Sequence, residues 1–227
     1  MKLYGMVAVA AGIMISAGLS RATLPTGLTV LEEPDRVLMR WNGPVEPPML
    51  DRFEAAFRAR EGDSRRIVIS LSSPGGLVEY GYQVISLIKK EARAHTIDTL
   101  VEAGRTCASM CVPIYLTGAD RIAHPKAQFM FHEVSFRLNA DQERQVREIK
   151  RSHPFIDIQA MRKDMIVKAT DEFYEVYLGP RGVNQRWLTD MRRSIRGRDI
   201  WRTGTELVEQ GSGVVDVLRS RPEVAAR

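Results

Sequence analysis

Cysteine is scarce in this chain: two of 227 residues, Cys107 and Cys111. No second pair and no His at ligand spacing accompanies them, so a zinc site has no ligand set, and neither a metal nor a cofactor is expected. Low-complexity tracts are missing, as is any repeat with a period of about 20–50 residues, which sets solenoids aside. There is no phosphate-binding loop. There is no unbroken basic stripe either: Arg144, Arg147, Lys150 and Arg151 interleave with Asp141, Glu143 and Glu148. That pattern reads as a solvated helix face, with acidic lipid headgroups as the weaker alternative. Without Lys2 and Arg21 the formal net charge falls from +5 to +3, and nucleic acid is not an expected partner.

What is present suits one globular domain: 44% apolar and 27% charged residues in a length sufficient for a substantial core. The N-terminus stands apart. Lys2 precedes an apolar and small-residue run from Met6 to Leu19, short of the roughly 20 residues that span a bilayer. Ser20 and Ala22 sit where a signal peptidase requires small residues. Residues 1–22 therefore read as a signal peptide, with an uncleaved membrane anchor as the alternative. Residues 23–227 then form an exported domain, periplasmic or held at the inner membrane through the N-terminus. In such a compartment Cys107 and Cys111 could form a disulfide, since a helical spacing of four sets their Cα atoms about one turn apart. Two buried free thiols are the alternative.

Strand patterns at 36–41, 66–72, 96–101 and 127–132 alternate with helix patterns at 49–60, 80–92 and 108–117. This order predicts an α/β fold with parallel pairing. A charged, helical stretch follows from 141 to about 193, broken near Pro154 and at Gly179-Pro180. A short helix at 205–209 and a strand at 214–218 end the pattern. On the first helix, Leu50, Phe53, Ala56 and Phe57 share a face.

Three places could carry chemistry. Ser73-Pro74-Gly75-Gly76 follows a buried strand; glycine there allows a sharp bend and lets backbone N–H groups approach an anion, although such a sequence can be a turn and nothing more. Ser109 lies between a strand and an apolar helix, as a nucleophile or as an ordinary N-cap. His132 ends an apolar strand, as a general base or as a satisfied structural histidine. His95, His124 and His153 lie in polar or turn contexts.

The order of these segments resembles that of the Clp protease proteolytic subunit, over roughly Val37 to Leu218. Ile67-Val-Ile-Ser-Leu-Ser-Ser-Pro-Gly-Gly76 is similar to that family's Ile-Asn-Ser-Pro-Gly-Gly segment. Cys107-Ala-Ser109-Met110 resembles Ala-Ala-Ser-Met around its nucleophile, and Phe129-Met-Phe-His132 resembles its Met-Ile-His. The stretch from Asp199 through Glu206 to Gly211, followed by Val214-Val-Asp216, resembles the family's C-terminal Asp-to-Asp segment. The resemblance implies the Clp-protease/crotonase fold of repeated β-β-α units with a helical, handle-like insertion. It implies Ser109 as nucleophile, His132 as base and Asp199 as third triad member, with the N–H groups of Gly76 and Met110 as the oxyanion hole. It further implies a peptide or unfolded-protein substrate and the option of a homo-oligomer.

Two departures qualify the resemblance. Glu133-Val134 replaces the family's usual Gln-Pro after the base, and 67 residues separate His132 from Asp199, so an insertion lies between Val134 and Arg198. An exported address also removes the ATP-driven unfoldase that serves the cytoplasmic enzymes. The expectation is a serine peptidase acting without one. The alternative is a non-catalytic envelope protein of the same fold with a binding or scaffolding role. An acyl-CoA enzyme of the crotonase type fits neither the address nor the Ser-His-Asp order, and a Ser-Lys dyad would need a lysine at the position of His132.

Overall fold

The computed structural model describes residues 26–135, 140–153 and 155–220. The expected leader at 1–22 and the expected helix break at Pro154 lie outside them. The chain opens with β1 (Gly27–Glu32) and β2 (Arg36–Asn42), then α1 (Met49–Arg58), β3 (Arg66–Ser72), α2 (Val78–Glu91) and β4 (Ile97–Val101). It continues through β5 (Thr106–Ala108), α3 (Cys111–Tyr115), β6 (Arg121–Ala123) and β7 (Gln128–Phe131). The helices α4 (Ala140–Ser152), α5 (Ile158–Tyr177) and α6 (Gln185–Ser194) precede β8 (Ile200–Thr203), α7 (Gly204–Glu209) and β9 (Val217–Leu218).

The α/β architecture is as the pattern predicts, with the strands divided between two sheets. One has six strands in the order β1-β2-β3-β4-β6-β9, all parallel except β1, which runs antiparallel to β2. The other has three, β5-β7-β8, with β5 parallel and β8 antiparallel to β7. Ile67 to Leu71 of β3 are all buried, which accounts for an apolar run without polar alternation. Helix α1 covers the sheet with Met49, Phe53, Ala56 and Phe57, so Met49 takes the fully buried place expected for Leu50, which packs at the margin. Met49, Phe53 and Phe57 each contribute roughly 1.5–3 kcal/mol by leaving water. Helix α2 adds Val84, Ile85 and Ile88.

Several short strands depart from the sequence expectation. β1 occupies what reads as a polar segment, and β6 and β8 had no expected counterpart. Residues 106–108, expected to be a turn running into a helix, pair with β7, so the helix is confined to Cys111–Tyr115. The terminal strand shrinks to Val217–Leu218. The loop after β3 ties the sheets together: Ser73 N–H donates to the Thr106 carbonyl at 2.7 Å, and Ala108 N–H donates to the Ser73 carbonyl at 3.0 Å.

Candidate active site

The register of the smaller sheet decides which residues meet. Ala108 lies opposite Met130, and Phe131 lies opposite Ile200. One residue beyond those strand ends stand Ser109, His132 and Asp199, so three distant stretches of sequence emerge at the same edge of one sheet. Ser109 and His132 also line one compact cleft of about 60 Å³ together with Gly76, Val78 and Phe173. That is room for about four to six waters at roughly 10–15 Å³ each.

Ser109 is held in a bent backbone. Its φ is 53°, in the left-handed region, and no other described residue except glycine is there. A conformation of this kind costs of order 1–3 kcal/mol and persists only where neighbours fix it. Here Ser109 N–H donates to the Met130 carbonyl and Val112 N–H donates to the Ser109 carbonyl, both at 2.9 Å. The N-cap of α3 is Met110 and no side chain caps that helix, so the reading of Ser109 as a helix cap does not hold. Cys107 and Cys111 bracket the bend as a disulfide with Cα atoms 5.2 Å apart.

The Pro-Gly-Gly loop packs directly on this bend. Gly75 has φ +91°, and a Cβ there would lie 2.6 Å from Ser109 Cβ and 2.7 Å from the Ala108 carbonyl oxygen. A Cβ on Gly76 would meet the Val45 carbonyl oxygen at 2.3 Å. Gly75 and Leu77 are anchored by hydrogen bonds with Val45, at 2.8 and 3.0 Å. The bare face of Gly81 in α2 admits the buried Met110 side chain, whose Cγ would stand 2.4 Å from a Cβ there. Among the described residues, neither the Gly76 nor the Met110 N–H meets a backbone acceptor. The loop is therefore more than a turn: it leaves the Gly76 N–H unspent at the cleft that Ser109 lines, and the bend itself leaves that of Met110.

The other side of the cleft is looser. His132 is half-buried, and its imidazole makes no hydrogen bond among the described residues, so it is not the satisfied structural histidine of the alternative reading. Its backbone is pinned: Tyr174 Oη donates to the His132 carbonyl at 3.3 Å, and Val134 N–H donates to Thr170 Oγ1 at 2.9 Å. Burial pushes the Tyr174 hydroxyl well above the ordinary tyrosine range, so it stays a donor. Asp199 is exposed, lies outside the cleft lining, and makes no hydrogen bond to His132. Glu133 lines the cleft and accepts from Gly197 N–H at 2.9 Å, which ties the chain after His132 to the turn before Asp199. Sequence reasoning missed Thr170, Tyr174 and the work of Glu133; only the Glu133-Val134 departure signalled that the path there is special.

A hydroxyl on a strained bend, an imidazole across a small cleft and two unspent N–H groups make a constellation suited to acyl transfer. The family model for the Clp protease matches residues 55–176, more than half of the chain. The match takes in Gly76, Ser109, Met110 and His132 and stops before Asp199. No curated protein matches the chain.

Proposed function

The chain belongs to the Clp protease family, and from that premise we propose that it is a serine peptidase acting outside the cytoplasm without an ATP-driven unfoldase. One observation carries the reading: the lone left-handed non-glycine backbone among the described residues is at Ser109, beside two N–H groups without acceptors. His132 takes the Ser109 hydroxyl proton as Oγ attacks a peptide carbonyl. The carbonyl oxygen becomes an oxyanion, and the N–H groups of Gly76 and Met110 donate to it. Each such donor is worth on the order of 10²–10³ in turnover. The proton on His132 passes to the leaving amine, and the acyl group stays on Ser109 until water, deprotonated by His132, releases it as the acid. Asp199 orients the imidazole once it turns inward.

The address rests on the N-terminal segment, with its apolar run and small residues at 20 and 22. Substrates reaching the cleft there are unfolded or short peptides, since nothing pulls folded ones apart.

A fluorophosphonate probe tests the chemistry. The chain is expected to be labelled and Ser109→Ala is expected to lose all labelling with unchanged thermal unfolding. Labelling that survives the substitution removes Ser109 from the reaction. An unlabelled parent chain favours the second reading, a non-catalytic envelope protein, whose support is the exposure of Asp199 and the open triad.

A further inference from the structure

The proposed reaction makes no use of the carboxylate of Glu133. This residue follows His132 directly, in place of the family's usual Gln, and it lines the cleft. Its Oε2 accepts from Gly197 N–H at 2.9 Å, and its Oε1 has no partner among the described residues. A carboxylate offers about four lone-pair sites, so one N–H leaves most of that capacity open. Glu133 is also half-buried, and among the described residues it forms no ion pair. Charge drawn part-way out of water without a counter-charge is costly, and a cation placed there offsets the cost.

The rest of the cleft fits the same occupant. Val78, Phe173 and Leu178 supply apolar walls, and no lysine or arginine is among the lining residues. Besides the titratable His132, Glu133 is the one charged residue of that lining. At the margin, Glu79 and Glu172 are next in sequence to Val78 and Phe173; both are exposed and form no ion pair among the described residues. Asp199 is exposed as well. The cations closest to Gly197 in sequence are Arg196 and Arg198, both exposed; neither pairs with Glu133, and Arg198 Nε donates to the Ser194 carbonyl at 2.7 Å. Arg192 pairs with Asp171 and Glu175. The carboxylates thus prevail around the cleft. A lysine or arginine side chain lays its aliphatic stem on apolar surface and carries its charge at the tip. An acidic side chain would set like charges together, and an apolar one would strip water from Glu133 without replacing it.

We propose that Glu133 determines specificity, receiving the basic side chain of the residue whose carbonyl Ser109 attacks. The inference rests on the reading of this cleft as a peptide site, and it narrows the substrates to peptides with lysine or arginine on the acyl side of the cut.

The test measures binding apart from turnover. Fluorescein-labelled peptides with lysine, norleucine or glutamate at one central position, in an alanine and glycine background, are titrated by anisotropy with the full chain carrying Ser109→Ala. Kd is expected to be about tenfold lower for lysine than for norleucine, and highest for glutamate. With Glu133→Gln added, the lysine and norleucine peptides are expected to bind alike. The amide oxygen can still accept from Gly197 N–H, so the charge is what that variant removes. Glu133→Lys is expected to invert the order and favour glutamate. A Glu133 that only shapes the loop or orients the imidazole would move all three peptides together. The proposal is overturned by equal binding of the lysine and norleucine peptides, or by a lysine preference that survives Glu133→Gln. A lysine preference in a chain that fluorophosphonate does not label removes the peptidase reading and leaves this site standing; labelling without the preference does the reverse.

Discussion

The two walls of the cleft are built differently. On the Ser109 wall, Gly75 packs against Ser109, Gly81 packs against the buried Met110 side chain, and the Cys107–Cys111 bridge brackets the bend. On the facing wall, His132 is half-buried and its imidazole makes no hydrogen bond among the described residues, and Asp199 is exposed. The proposed nucleophile and its proposed donors are preorganised, and the proposed base and its orienting carboxylate are not. Preorganised dipoles act in the transition state without reorganisation, whereas a proton-transfer group can be brought into line when substrate arrives. A substitution that overpacks the first wall should therefore cost stability and activity together, and one on the facing wall activity alone.

The strongest way to break the first wall is Gly75→Ala. A methyl group there meets Ser109 Cβ at 2.6 Å and the Ala108 oxygen at 2.7 Å, in a backbone conformation that L-residues rarely adopt. Strain and overpacking together are expected to destabilise by about 3 kcal/mol or more. Fluorophosphonate labelling is expected to fall on the order of 10²–10³-fold as the bend shifts away from its donors. Denaturant unfolding and labelling rates on the same sample check both. A variant with full labelling and parental stability would show that the loop can move aside and that the wall is not rigid.

Removing the bridge tests the same wall more gently. Cys107→Ala with Cys111→Ala opens a five-residue ring, for which the loss of unfolded-state constraint is about 2 kcal/mol. In a chain of this size the midpoint of thermal unfolding should fall by about 4–8 °C. Labelling is expected to persist, since Gly75 and the Met130 carbonyl still hold Ser109. An unchanged midpoint would mean that those contacts alone fix the bend.

The contrast between the walls also explains what could be read from the sequence. The six-stranded sheet was legible where apolar runs are long, at Ile67 to Leu71, and helix α1 where Phe53, Ala56 and Phe57 keep a helical period. Of the small sheet only β7 was legible, because β5 and β8 are three or four residues long and include Arg202 and the exposed Trp201, too little for a period to register. Yet that sheet brings together Ser109, His132 and Asp199. Local pattern raised Ser109 and His132 as candidates, and only the order of matching segments added Asp199. The left-handed φ at Ser109 had no signature of its own, since only glycine advertises such a conformation and the glycine is at Gly75. Helices α4 and α5 were legible as one charged helical stretch.

The smallest expected effect on stability, and the sharpest test of the second wall, is Asp199→Asn. Its carboxylate is exposed and bonded to nothing that faces the cleft, so the substitution should change stability by no more than about 0.5 kcal/mol. It stands one residue before Ile200, which pairs with Phe131, the residue before His132. One charge-assisted hydrogen bond contributes about 1.5–3 kcal/mol. Losing it from the imidazolium should slow fluorophosphonate labelling roughly ten- to hundredfold. The rate of labelling, measured beside that of Glu133→Gln, separates the two carboxylates near His132. Slowing with Asp199→Asn alone makes Asp199 the orienting group. Slowing with Glu133→Gln alone transfers that role to the residue that now holds Gly197 N–H, and the acid wall would then be built from the segment after His132 and not from the strand beside it.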